Sequence, residues 1–124
     1  MSDEALSGDV RDFLAKHIDS IAQLEALLLL KENPNTRWDA YALAKRLYIG
    51  DRDASEVLSH LEGHGLIARS EGTFRFGPTS NELRRLIDLT HEHYRRHLIP
   101  ITNIVHAKPR RIRQFANAFK LKKE

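Results

Sequence analysis

TRWDAYALAKRLYIGDRDASEVLSHLEGHGLIARSEGTFRF, residues 36–76, decides the fold of this chain. Ala40, Leu43, Ala44 and Leu47 recur at helical spacing, which predicts a helix with one apolar face, capped by Asp39. Gly50 offers a flexible turn position. Asp51 is the expected cap of a second helix, which buries Ala54, Val57, Leu58 and Leu61 and ends at Gly63 and Gly65. Leu66–Ser70 and Thr73–Phe76 alternate as strands do, with Glu71-Gly72 as the turn between them. Thr36-Arg37-Trp38 is short and β-favouring, and is expected to add a small strand to that hairpin. The order is helix, turn, helix, hairpin.

Upstream, residues 1–8 are small and polar, and are expected to be disordered. Val10, Phe13, Leu14 and Ile18 predict a short helix from about Asp9. Ser20 and Gln23 form a capping box for the next helix. Its run of Ile21, Leu24 and Leu27–Leu30 is apolar on more than one side, so it should be the most buried helix, and it stops before Pro34.

Downstream, Gly77-Pro78 breaks the chain, and Thr79 with Glu82 reads as another capping box. Leu83, Leu86, Ile87, Thr90, Tyr94, Leu98, Ile101, Ile104 and Val105 fall on one helical stripe. The stripe keeps phase through Pro100, so a long, proline-kinked helix is expected over 79–106. Unbroken, it would span about 40 Å at 1.5 Å per residue. That exceeds what the preceding body can cover. Leu98, Ile101, Ile104 and Val105 are therefore the candidate dimerisation residues, and a homodimer is expected. Pro109 suits the first position of a last helix, whose Ile112, Phe115, Ala116 and Phe119 make an apolar face. The expected organisation is a leader over 1–8, a domain over 9–78, the long helix over 79–106, and a basic helix and tail over 107–124.

Composition bounds the function. The chain has 124 residues, 41% hydrophobic and 30% charged, which fits one globular domain too small for an elaborate enzyme. It has no cysteine, so disulfides and thiolate metal sites are excluded. No signal peptide or membrane span is expected, since the longest apolar run is Ala26–Leu30; a cytoplasmic location follows as the expectation. The net charge of +3 is uneven. Residues 108–124 hold seven Lys or Arg, including Lys108, Arg110, Arg111, Arg113 and Lys120, against Glu124 alone; 13 basic and 16 acidic side chains precede them. The body is mildly acidic and the tail basic.

Residues 20–76 resemble the winged helix-turn-helix of the broad bacterial MarR-like superfamily. The matching pieces are Ile21–Leu30, the pair Ala40–Leu47 and Ala54–Leu61, and the hairpin Leu66–Phe76. The join from Ser55 to Ile67 is similar to the L-x-x-L-x-x-x-G-L-[IL] pattern common between helix and wing. The resemblance implies a mainly α fold with a small β-wing, and a transcription regulator binding duplex DNA as a dimer. Usual docking would send the helix from Asp51 into a major groove. Arg52, Ser55, Glu56 and Ser59 would then approach bases, Lys45 and Arg46 would assist from the preceding helix, and Arg69 or Arg75 on the wing would meet phosphate. The charges oppose this in part. Asp51, Asp53, Glu56 and Glu62 face only Arg52 on that helix, whereas DNA affinity comes mainly from cations. The alternative is a winged helix that binds protein through the acidic face of residues 51–62 and the basic tail.

Other constellations point to no chemistry. His93 and His97 are four apart and could share a metal, but His91-Glu92-His93-Tyr94-Arg95 is not a zincin motif and Arg95 and Arg96 repel a cation. These histidines are expected in a helix–helix seam, with no metal or cofactor. Trp38 and Tyr41 could face a ligand, but a core or edge role is the ordinary one for such rings. No phosphate-cradling glycine loop or nucleophile–base pattern is present, so no enzymatic activity is expected.

Overall fold

Four consecutive leucines at 27–30 leave little polar surface on their helix, so other elements must surround it. In the computed structural model, which describes residues 7–107, that helix is α2 (Ile21–Glu32). Leu24, Ala26, Leu27, Leu28 and Leu30 are all buried. Around it stand α1 (Gly8–His17), α3 (Ala40–Leu47), α4 (Asp51–Gly63), the hairpin of β1 (Ile67–Ser70) and β2 (Thr73–Phe76), and α5 (Asn81–Arg96). The described chain is thus mainly helical with one small antiparallel sheet. α2 packs on α3, α4 and β2, while α1 packs on α5. Each fully buried leucine contributes about 1.5–3 kcal/mol relative to exposure.

The helix starts follow their caps, in places one residue from where the sequence suggests. Ser7 caps α1 by accepting from the Val10 N–H, so Ser7 and Gly8 belong to the ordered body rather than to a disordered leader. Ser20 accepts from the Gln23 N–H, but Gln23 returns its Oε1 to the Asp19 N–H. Asp39 caps α3 as expected, through a 2.8 Å bond from the Ala42 N–H. Asp51 does not cap α4. Gly50 is the cap, with extended backbone and no side chain to offer, and Asp51 and Asp53 instead sit in the first turn, where the helix dipole favours acids. At α5 the cap is Ser80 rather than Thr79, and Glu82 bonds Arg85 at 2.7 Å instead of turning back to the cap.

The turn between α3 and α4 also differs in its pivot. Gly50 has φ −72°, an ordinary value, whereas Tyr48 takes the left-handed conformation at φ 58°, ψ 46°. A residue with a Cβ pays for that geometry on the order of 1 kcal/mol. The hairpin pairs Ile67 with Phe76 and Ser70 with Thr73. Glu71 and Gly72 both have positive φ, which makes a type I′ turn whose twist suits paired strands. The expected third strand is reduced to one bridge, with Trp38 and Phe74 exchanging two backbone bonds of 2.8 and 2.7 Å.

The long helix of 79–106 is interrupted. α5 ends at Arg96, His97 takes φ −131°, ψ 53°, and residues 98–107 are helical again. Pro100 explains the place. It has no N–H for the Arg96 carbonyl and its ring would collide with that carbonyl, so the helix breaks one turn earlier and Pro100 lies in the first turn of the new segment, where it is tolerated. The break redirects the apolar stripe. Ile101 and Val105 become fully buried within the same chain, and Asn103, Ile104 and Ala107 line a cavity with Arg11, Asp12 and Ala15 of α1.

Thr90 is the one buried polar residue of the described core, and its hydroxyl has no hydrogen-bond partner there. Thr90→Val keeps the shape and removes the unpaired oxygen. It should stabilise the fold by about 1 kcal/mol, read as a rise in thermal midpoint of roughly 4–8 °C. A lower midpoint would mean that the hydroxyl is satisfied.

Candidate nucleic-acid interface

The expected contact residues divide by face. On α3, Lys45 and Arg46 occupy the last turn, where cations complement the helix dipole. They point to different neighbours. Lys45 lies 5.2 Å from the centre of the Tyr41 ring. Arg46 lies 5.7 Å from the Trp38 ring and lines a cavity of about 510 Å³ with Leu28, Leu29, Tyr94 and Arg95 of α2 and α5. Lys45 is therefore available beside the turn, while Arg46 serves a groove between three helices.

Two acids of α4 stand beside the start of α2. Asp53 and Glu56 line a cavity of about 280 Å³ with Ser20, Ala22 and Gln23 at the start of α2. Arg52, Ser55 and Ser59 are exposed at helical spacing. Arg52 reaches Glu56 at 3.6 Å, a pair so open to water that it adds little stability. All four acids of α4 stay exposed, and Arg52 is the one Lys or Arg of this helix, so its acidic balance remains.

On the hairpin the register decides which cations act together. Arg69 stands opposite Phe74, and Arg75 opposite Ala68. Side chains directly across a pair share a face, and successive residues alternate, so Arg69 and Arg75 project from opposite faces. Arg69 lies 5.7 Å from the Phe74 ring on the face that also carries the buried Ile67. Arg75 lies on the other face with Ser70 and Thr73. A flat partner cannot meet both arginines.

The histidines form two seams. His17 at the end of α1 meets His64 with Nδ1 atoms 3.0 Å apart, His60 stacks on His64 at 4.2 Å, and His60 Nε2 donates to the His17 carbonyl at 2.7 Å. In the second seam Lys31 of α2 donates to His91 Nδ1 at 3.0 Å and pairs with Asp88 at 3.4 Å. The ammonium has donors only, so His91 Nδ1 accepts and its Nε2–H is directed at Glu32, 3.2 Å away. Nearby, Tyr94 donates to Glu25, and its phenol is pushed up from the ordinary value by burial first and by that carboxylate second. His93 and His97 rings lie 5.7 Å apart. Among the described residues no group of three or more His, Asp or Glu side chains is placed to hold a metal. None of their helices is long and apolar enough to cross a membrane.

Nothing local marks the Lys31–His91 contact, because its members are 60 residues apart. The turn ahead of α4 is legible, but its left-handed residue is Tyr48 and not the flexible Gly50. The tail residues Lys108, Arg110, Arg111, Arg113 and Lys120 lie outside the described residues. Comparison with protein-family models, with curated proteins and with solved structures finds no match to this chain.

The four candidate dimerisation residues do not form one free surface. Ile101 and Val105 are covered within the chain and Ile104 is half-buried; only Leu98 is exposed, beside Ile99. The inference that the stripe needs a second copy rests on a kinked but continuous helix, and the break at His97 removes that continuity. Ile101→Ala should cost about 2–4 kcal/mol of folding stability, as for a buried aliphatic side chain, with no change in sedimentation. Loss of a dimer at unchanged thermal midpoint would place Ile101 in an intersubunit contact instead.

Proposed function

We propose that the chain is a winged helix-turn-helix protein that binds duplex DNA and acts as a cytoplasmic, bacterial-type transcription regulator without enzymatic activity. The observation that carries this reading is the arrangement of α3, turn, α4 and hairpin, which leaves Arg52, Ser55 and Ser59 uncovered along α4. Short side chains on an exposed helix let the helix approach base edges closely, and Arg52 can pair with guanine or phosphate. Lys45 beside the turn and one hairpin arginine would supply backbone contacts. Asp51, Asp53, Glu56 and Glu62 stay exposed on α4, so Lys45 and the hairpin arginine have to carry the phosphate contacts. Binding as a homodimer would place two such helices on successive grooves, with Leu98 and Ile99 as the apolar surface available to a second copy.

A second reading is a winged helix that binds a basic protein through Asp51, Asp53, Glu56 and Glu62, all exposed. Double reversal of Asp53 and Glu56 to Lys separates the two readings. It should strengthen non-specific DNA binding, whereas a protein partner recovered by the wild-type chain should be lost.

The direct test is binding to duplex DNA across a salt series. Affinity should fall steeply with salt, in proportion to the number of phosphates neutralised. With about three cations engaged the logarithmic slope should be near −3. Absence of binding at about 50 mM salt, where phosphate contacts are strongest, would refute the proposal.

A further inference from the structure

Tyr48 closes α3 as its left-handed C-cap, with its own N–H and that of Ile49 bonded to the Ala44 carbonyl, a place usually taken by glycine. Its backbone is in the left-handed region, at φ 58°, where glycine or asparagine is the comfortable residue. Its side chain is 92% exposed, so the ring contributes almost nothing to packing in return. A bulky residue at positive φ is uncommon, and strain of this kind gathers at sites where the side chain has a task outside the fold. The neighbours indicate the task. Tyr41 and Lys45 lie one turn apart on α3, and Tyr48 is the residue that follows its end. Tyr41 is itself 61% exposed, and Lys45 stands over its ring. Arg52, in the first turn of α4, is exposed four residues beyond Tyr48. Asp39 caps α3 and Glu56 pairs with Arg52, while the exposed Asp51 and Asp53 on either side of Arg52 sit in the first turn of α4, where the helix dipole favours acids.

We propose that Tyr41, Lys45, Tyr48 and Arg52 form a nucleic-acid backbone clamp, with the strained Tyr48 ring set against the sugar–phosphate edge of a duplex. This rests on the DNA-binding reading above and adds to it two contact residues, Tyr41 and Tyr48, that lie outside α4. Lys45 and Arg52 neutralise phosphates, and the two phenols donate to phosphate oxygens while their rings cover the sugar. The contacts are to the backbone, so they set affinity and register and leave base choice to Ser55 and Ser59. Holding Tyr48 in the left-handed conformation swings it out of the path of α3 at the turn, and the αL strain is the cost of presenting the ring there.

The signature is opposite movement of stability and binding. Tyr48→Gly and Tyr48→Asn relieve the backbone and should raise the thermal midpoint by several degrees. Both should weaken binding to a mixed-sequence duplex about tenfold at fixed salt. Tyr48→Phe, which keeps ring and strain, should match the wild-type midpoint and lose less affinity than Tyr48→Gly. Lys45→Ala should lower the salt slope by about one without altering sequence preference. Wild-type affinity in Tyr48→Gly would overturn the clamp while leaving DNA binding intact. A wild-type chain that binds no duplex would overturn both, and more so if Tyr48→Gly then weakens recovery of a protein partner.

Discussion

Two backbone bonds between Trp38 and Phe74, at 2.8 and 2.7 Å, join the start of α3 to the hairpin. They link residues 36 positions apart and tie the start of α3 to β2. A two-stranded ribbon is marginal in water by itself. This one is held by Trp38, only 4% exposed, and by its packing on α2 and α4, with Ile67 buried. α4 is then fixed on both flanks, by α3 before it and by β1 after it, and its outer stripe keeps one orientation. A contact surface made of a few short side chains depends on that rigidity, because misplacement by an ångström loses hydrogen-bond geometry.

The second constraint is α2. Its leucines demand cover from several directions, and α3, α4 and β2 supply it. α5 joins through the polar chain Asp88–Lys31–His91–Glu32, which lies along one side of the same helix. The 98–107 segment completes the body by turning Ile101 and Val105 inward. Ile101 and Val105, expected in a dimer seam, are therefore core. Among the described residues, the α3–α4 face and the Leu98–Ile99 pair stay exposed.

Local signals made most of the fold legible. Periodicity placed α1 to α5 because each has an apolar face facing a neighbour, and Asp39 and Ser20 marked helix starts because their side chains have no better partner. Errors fell where two residues competed for one role. Thr79 and Ser80 both can cap α5, and the structure uses Ser80; Gly50 and Asp51 both can begin α4, and the extended glycine does so without a side chain. The break at His97 was half visible. Pro100 announced a defect, but whether a helix kinks or restarts is decided by where Ile101 finds cover, which is tertiary information. The candidate interface was less legible still. Arg69 and Arg75 are two cations in sequence and two faces in space, and the cavity that Asp53 and Glu56 line exists only once α2 is in place. Tyr48 carried no sequence signal, since nothing local marks a tyrosine as left-handed.

The central claim is that the α3–α4 face meets nucleic acid. Amide chemical-shift mapping of the whole chain during titration with a short mixed-sequence duplex at low salt tests it most directly. The account predicts shifts concentrated at Tyr41, Lys45, Tyr48, Arg52, Ser55 and Ser59 and on one face of the hairpin. Shifts confined to α5 and residues 98–107, or no shifts at all, would contradict it.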